Sequence, residues 1–92
     1  MSYTLYTWPH CEDCDRVKQV LDTRGIAYNS MQVFENLEAK RQLRDAEQAI
    51  GGGFKIQKDF RGRIVFPILV QKNGRGVERI VQGYEGISAL FV

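Results

Sequence analysis

The chain has 92 residues, with 13 Lys and Arg against 11 Asp and Glu, and a formal net charge of +2. A chain of this length supports one hydrophobic core, so we expect residues 1–92 to form a single domain. Hydrophobic residues make up 43% and charged residues 26%, a composition typical of globular rather than disordered proteins. The cations are spread along the chain and no apolar run approaches the roughly 18 residues of a membrane span, so neither a nucleic-acid nor a membrane partner is predicted.

The sequence contains two cysteines, Cys11 and Cys14. A single C-x-x-C pair cannot supply the several disulfides that hold small secreted domains together. The N-terminus also lacks the basic region and apolar run of a secretory leader. We therefore expect a cytoplasmic, monomeric protein in which the two cysteines have a chemical role.

The first half of the chain predicts a strand, a helix and a second strand. Tyr3–Trp8 is rich in aromatic and β-branched residues and stops at Pro9, which is typical of a strand. A helix is then predicted up to Gly25, because apolar residues recur at helical spacing at Cys14, Val17, Val20 and Leu21. Ile26–Phe34 alternates imperfectly and is interpreted as a second strand, parallel to the first because a helix intervenes.

Asn36 is a suitable cap for a second helix over residues 37–50, which the glycines at 51–53 would end. Phe54–Arg63 mixes apolar and basic residues and is interpreted as a loop that faces the substrate. Ile64–Val70 is almost entirely apolar and predicts a strand covered on both faces.

The end of the chain predicts a hairpin and a short helix. Lys72-Asn73-Gly74 is a turn sequence that would lead into an antiparallel strand over Val77–Val81. After Gly83-Tyr84-Glu85-Gly86, the stretch Ile87–Val92 is long enough for no more than two helical turns.

The order β-α-β-α-β-β-α, with C-x-x-C where the first strand meets the first helix, resembles the thioredoxin fold and, by its brevity, the glutaredoxin family. Three positions carry the resemblance: Cys11-Glu12-Asp13-Cys14, Phe66-Pro67 and Gly83-Tyr84-Glu85. It implies an α/β fold with a central four-stranded mixed sheet flanked by helices. It also implies a thiol–disulfide oxidoreductase that reduces protein disulfides or glutathione mixed disulfides.

The position of the two cysteines predicts their roles. A thiolate attacks in disulfide exchange, and a cysteine with the usual pKa of about 8.5 is only ~3% ionised at pH 7. Lowering the pKa by two units needs about 2.7 kcal/mol, whereas a helix dipole supplies about 0.3–1 kcal/mol. We expect the remainder to come from hydrogen bonds to the Cys11 sulfur, donated by the free amides of Asp13 and Cys14 and by the Cys14 thiol. Cys11, nearer the loop, is the expected nucleophile, and Cys14, one turn into the helix, the resolving thiol.

Glu12-Asp13 stands where glutaredoxins commonly have Pro-Tyr. Two negative charges beside Cys11 disfavour a second anion, so we expect a less acidic Cys11 and a more reducing protein than a Pro-Tyr version of the same chain. A protonated His10 next to Cys11 would offset part of this effect.

The resemblance also assigns substrate-binding residues. Phe66-Pro67 matches the family's cis-proline position, where the residue before proline offers backbone groups to a bound disulfide, and Phe66 replaces the usual valine with a bulkier side chain. Trp8, His10 and Tyr84 are further candidates that would flank the cysteines.

Glutathione is the co-substrate that the resemblance implies. In glutathione-using members a Gly-Gly-x-Asp-Asp type turn holds the glutamyl end, and here Gly83 and Glu85 match this turn while Gly86 takes the second acidic position. Glutaredoxins often have a lysine three residues before the nucleophile, and this sequence has Trp8 at that position. Cations for the carboxylates of glutathione could come from the basic loop or from the helix over 37–50, at Lys40, Arg41 or Arg44.

Three alternatives stay open from the sequence. The protein could be an electron donor to a specific reductase, fed by thioredoxin reductase instead of glutathione, which would explain Trp8 and the incomplete acidic turn. Some glutaredoxins hold a [2Fe–2S] cluster between two subunits together with glutathione, although two cysteines and His10 fall short of a closed metal site within one chain, and no metal is expected. The fold could also serve as a binding module without turnover.

Overall fold

The computed structural model describes residues 1–91 and consists of a four-stranded sheet and three helices. In chain order these elements are β1 (Ser2–Thr7), α1 (Glu12–Thr23), β2 (Asn29–Gln32), α2 (Leu37–Ile50), β3 (Ile68–Asn73), β4 (Gly76–Gln82) and α3 (Tyr84–Leu90). The α/β class and the element order predicted from the sequence are confirmed.

The sheet has the strand order β2-β1-β3-β4. β1 runs parallel to β2, as expected for two strands joined through a helix, and antiparallel to β3. β3 and β4 form the antiparallel hairpin that the turn residues predicted. The sheet is therefore mixed. β1 is a central strand, and the loop that contains the first cysteine follows its C-terminal end.

Two hydrophobic clusters cover the two faces of the sheet. Adjacent residues of β1 point to opposite faces, so Leu5 packs with Val17 and Leu21 of α1, whereas Tyr6 packs with α2 residues such as Leu43. Ile87 of α3 joins the cluster on the α1 face. The result is three layers, with α1 and α3 on one side of the sheet and α2 on the other.

Both long helices begin at a side-chain cap. The Asn36 side chain accepts a 3.0 Å hydrogen bond from the Ala39 amide, as the sequence predicted for α2. At α1 the capping residue is Cys11. No helix within residues 1–91 is both long and apolar enough to cross a membrane.

Two predicted strands have other limits in the structure. The strand predicted over Ile26–Phe34 is confined to Asn29–Gln32. Ile26 and Tyr28 precede it in a loop, from which their side chains pack against the hydrophobic cluster on the α1 face of the sheet. The strand predicted from Ile64 begins at Ile68 instead. Ile64 pairs with Lys58 in an isolated antiparallel bridge, so residues 64 and 65 belong to the preceding loop.

Candidate active site

Cys11 and Cys14 lie at the start of α1, immediately after the loop that leaves β1. They form a disulfide with a Cα–Cα distance of 5.2 Å. Cys11 is partly exposed, whereas Cys14 is 3% exposed and lies among the buried residues of α1. Cys11 is therefore the cysteine that is more accessible to a substrate from solvent.

The Cys11 sulfur is also the acceptor that caps α1. The Cys14 amide donates a hydrogen bond to Cys11 Sγ over 3.1 Å, which is one of the two amide contacts expected from the sequence. A free helix-terminal amide and the positive end of the helix dipole both favour negative charge at this atom. This arrangement supports thiolate formation at Cys11 after the disulfide is reduced.

Acidic side chains oppose that effect from the first turn of α1. Glu12, Asp13 and Asp15 are all exposed there. Asp13 lies 3.7 Å from the Arg16 guanidinium, so part of its charge is offset within the helix. Neither Glu12 nor Asp15 makes such an ion pair within residues 1–91, and Glu12 is the one adjacent to Cys11 in the chain.

A cavity of about 590 Å³ opens beside the disulfide. Its lining includes Trp8, His10, Cys11 and Cys14, so the structure brings these four predicted site residues together. His10 has φ of 55°, a left-handed conformation that few residues other than glycine adopt, and is exposed. The roles of Trp8 and His10 in substrate binding stay predictions.

Three aromatic side chains form a platform that adjoins this cavity through Trp8. Trp8 stacks on Phe66 with ring centroids 5.3 Å apart, and Phe34 meets Trp8 edge-on at 5.4 Å. Trp8 and Phe34 remain 40% and 45% exposed. Sequence reasoning missed Phe34, although the residues that follow two adjacent parallel strands meet at the same sheet edge.

Pro67 connects the platform to the start of α3. The Phe66-Pro67 peptide bond is cis, as predicted, and the Pro67 carbonyl accepts a 2.9 Å hydrogen bond from the Gly83 amide. Gly83 adopts φ of 83°, which explains why glycine suits the turn before α3.

Gly83, Tyr84 and Glu85 line a separate cavity of about 410 Å³ on the other side of the first turn of α1. Asp13 and Arg16 complete its wall, and the Arg16 guanidinium lies 4.9 Å from the centre of the Tyr84 ring. Sequence reasoning missed Arg16. The three residues of the predicted glutathione turn are thus adjacent to the cysteine helix but outside the cysteine cavity.

The segment before β3 folds back on itself as a short hairpin. The Val65 amide donates to the Gln57 carbonyl, and the Asp59 amide to the Arg63 carbonyl, over 3.2 and 2.7 Å. We call residues 57–65 the basic hairpin. Its base is fastened to the end of β4 by Gln82, a residue that sequence reasoning missed.

A family model described as Glutaredoxin matches residues 3–52, which is more than half of the chain. The chain belongs to the glutaredoxin family. The two cysteines at the start of α1 are the groups that thiol–disulfide exchange requires. The matched region contains both cysteines and ends before the basic hairpin.

Individual relatives extend this comparison. The Gene 56 protein of Mycobacterium phage D29 is 39% identical over 46 residues, which are 50% of this chain and 51% of that protein. The alignment thus spans about half the length of that curated relative.

Two solved structures share the fold. The glutaredoxin-like protein NrdH-redoxin from Escherichia coli superposes with a TM-score of 0.61 and 22% identity, over 98% of this chain and 95% of that one. Maleylacetoacetate isomerase from Anaeromyxobacter dehalogenans 2CP-1, which has glutathione in its active site, matches with a TM-score of 0.50 and 21% identity. That match covers 97% of this chain and 36% of the isomerase.

Within residues 1–91, no group of three or more His, Cys, Asp and Glu side chains is arranged to hold a metal ion.

Proposed function

We propose that this glutaredoxin reduces disulfides in proteins, or mixed disulfides of glutathione, with Cys11 as the nucleophile and Cys14 as the resolving thiol. The Cys11 thiolate attacks one substrate sulfur, and the substrate disulfide breaks as a mixed disulfide forms. Cys14 then attacks the Cys11 sulfur, which regenerates the Cys11–Cys14 bond and releases the second substrate thiol. Two electrons and two protons pass to the substrate in each cycle.

The observation that carries this proposal is the unequal exposure of the two sulfurs. Cys11 borders the cavity and accepts the Cys14 amide, while Cys14 is 3% exposed. An external disulfide can therefore approach Cys11, whereas Cys14 is positioned to react only within the protein. A cytoplasmic location and a monomeric state stay predictions.

Glutathione is the electron donor that the family favours. The cavity beside α3 offers groups of both signs for the zwitterionic glutamyl end, with Glu85 and Asp13 facing an ammonium and Arg16 a carboxylate. We infer that glutathione would bind there with its sulfur toward Cys11.

Thioredoxin reductase is the second candidate donor. The observation that favours it is Trp8, whose ring is held between Phe34 and Phe66 at the position where a cation would bind a glutathione carboxylate. An apolar platform beside the cysteines suits a protein surface better than a charged tripeptide.

The test measures reduction of a glutathione mixed disulfide, with glutathione and its reductase in one assay and thioredoxin reductase in a parallel one. Turnover in either assay identifies the donor, and Cys11→Ser must abolish both. Cys14→Ser should accumulate a mixed disulfide on Cys11, detectable by intact-protein mass spectrometry. Partner binding without any turnover would contradict the proposal, and a brown colour after anaerobic purification would indicate an iron–sulfur cluster.

A further inference from the structure

Positive charge is concentrated in the segment that contains the basic hairpin. Residues 54–65 hold four cations and one anion and so carry +3, whereas the entire chain carries +2. The remainder of the chain is therefore net negative, at −1. Residues 72–79 hold three cations and one anion and carry +2, so segment 54–65 has the larger positive charge of the two.

The carboxylates near these cations are engaged with backbone amides. Asp59 accepts from the amides of Arg61 and Arg63 at 2.8 and 3.0 Å, and Glu47 accepts from the Ile56 amide at 2.7 Å. Among residues 1–91, no carboxylate oxygen lies within 4.0 Å of the charged groups of Lys58, Arg61 or Arg63. These three cations are available to an external anion.

The basic hairpin adjoins the cysteine cavity through Trp8. A groove of about 590 Å³ runs between Trp8 and Phe66 on one side and Lys58, Arg63 and Ile64 on the other. Trp8 also lines the cavity of Cys11. A polypeptide that presents a disulfide to Cys11 and continues past Trp8 therefore meets the cations of the hairpin.

The charge on the opposite side of Cys11 has the other sign. Glu12, Asp15 and Lys18 line the cysteine cavity from α1, and these two anions and one cation together carry −1. A segment that crosses the site thus encounters acidic groups before Cys11 and basic groups beyond Trp8. Acidic residues of a substrate would therefore be accommodated on only one side of the substrate cysteine, the side that extends past Trp8.

The tip of the hairpin indicates a macromolecular ligand. Phe60 is 94% exposed, and the Arg61 guanidinium lies 5.4 Å from the centre of its ring. Neither residue lines the groove. An exposed aromatic side chain beside an arginine is a combination enriched in protein interfaces, and it lies outside the groove that a small thiol would occupy.

We propose that the basic hairpin docks an acidic polypeptide segment next to the disulfide that Cys11 attacks, so that the hairpin selects the protein substrate. This inference rests on the proposed function and names the class of its substrate. The substrate disulfide accepts two electrons and two protons from Cys11 and Cys14, and the docking step itself is non-covalent.

The experiment uses one peptide with an internal disulfide in three versions, with a run of glutamates before the first cysteine, the same run after the second cysteine, or glutamines at all these positions. Reduced protein is mixed with each peptide, and the fluorescence of Trp8, the single tryptophan, reports oxidation of the neighbouring cysteines. We expect one glutamate peptide to react about fivefold to tenfold faster than the glutamine peptide, since a few exposed charge pairs each contribute modestly. High salt should remove the difference.

Two triple variants remove the same charge from opposite ends of the molecule. The hairpin variant is Lys58→Gln, Arg61→Gln and Arg63→Gln. The control variant is Lys72→Gln, Arg75→Gln and Arg79→Gln, around the β3–β4 turn, where Lys72 pairs with the first residue of β1 and not with the end that leads to Cys11. The hairpin variant should lose the preference for glutamate and keep its rate on the glutamine peptide, which shows that it is folded, while the control keeps both.

Equal rates on all three peptides, or equal losses in both variants, would overturn the inference. Binding of a labelled single-stranded oligonucleotide that only the hairpin variant loses, without any peptide preference, would overturn it in favour of a nucleic-acid ligand. A wild-type protein that fails to reduce even hydroxyethyl disulfide would overturn the proposed function and this inference with it. Activity on hydroxyethyl disulfide without glutamate preference overturns the docking role alone.

Discussion

Gln82 holds the basic hairpin to the sheet, and its removal should loosen the hairpin without unfolding the protein. Its amide oxygen accepts from the Gln57 amide at 2.7 Å, and its amide nitrogen donates to the carbonyls of Gln57 and Val65 at 3.0 and 3.1 Å. The remaining backbone pairing across the hairpin base is the 3.2 Å bond from the Val65 amide to the Gln57 carbonyl. Gln82→Ala therefore removes most of the attachments at this point.

The expected magnitude follows from the number and exposure of these bonds. Each intramolecular hydrogen bond contributes a net of about 0.5–1.5 kcal/mol, and two of the three are solvent-exposed, so their sum is about 2 kcal/mol. If the free energy of local opening of the hairpin base falls by this amount, the Gln57 and Val65 amide hydrogens should exchange about 30-fold faster. The free energy of global unfolding should change little, because the hydrophobic clusters lie elsewhere.

Native-state hydrogen exchange measured by NMR, amide by amide, tests this expectation. The matched control is Gln48→Ala, because Gln48 is exposed on α2 and its side chain makes no hydrogen bond within residues 1–91. If the Gln57 amide exchanges equally fast in Gln82→Ala and in the control, the reasoning is refuted. The acceleration should also stay absent from the amides of β1 in both variants.

Further predictions concern the cysteine, the core and a helix cap. Glu12→Gln should lower the pKa of Cys11 by roughly half a unit, since one exposed negative charge is removed through a high dielectric, and thiolate absorbance during a pH titration measures this. Burial, and next the charge of Glu38, raise the pKa of Tyr6 above the ordinary value of about 10. Because the unfolded chain then loses this proton first, the free energy of unfolding should be highest below about pH 10 and should fall as pH rises toward the folded-state pKa. Urea unfolding at a series of pH values should show a shallower fall for Tyr6→Phe than for the wild type. Asn36→Ala should cost about 1 kcal/mol and lower Tm by about 4–8 °C in calorimetry.

Each of these variants has a matched control. Asp13→Asn should shift the Cys11 pKa less than Glu12→Gln, because Arg16 already offsets Asp13, and a larger shift would contradict the assignment. Tyr3→Phe, which alters a phenol at the edge of the core, should keep the alkaline loss of stability. Asn29→Ala, in an exposed position of β2, should leave Tm nearly unchanged where Asn36→Ala lowers it.

The fold was largely predictable because the local signals agree with the tertiary contacts. Helical periodicity and the Asn36 cap indicated the two long helices, and the aromatic and β-branched composition before Pro9 indicated β1. β2 was predicted too long, since Ile26 and Tyr28 are apolar for a different reason, as loop residues packed against the core. The predicted start of β3 was wrong because Ile64 pairs with Lys58 in the hairpin. In the sequence, such a paired hairpin residue has the same apolar pattern as a residue of a sheet strand.

The site was predictable in its chemistry but less so in its neighbours. The spacing of Cys11 and Cys14 and their place before a helix were sufficient to indicate the disulfide. The stack of Trp8 on Phe66 depends on the register of β1 with β3, which pairs Tyr6 with Ile68 and therefore brings the residues beyond these ends face to face. No local pattern in the sequence encodes that register, so the aromatic platform could not be predicted from the sequence.

The capping role of Cys11 has a consequence for the reaction cycle. The atom that changes its covalent partner in every turnover, Cys11 Sγ, is also the atom that holds the first turn of α1 through the Cys14 amide. A thiolate accepts this hydrogen bond at least as well as a disulfide sulfur, so the same contact serves oxidised and reduced forms. We therefore expect the backbone of the first turn of α1 to keep the same arrangement when electrons enter and leave the protein at Cys11.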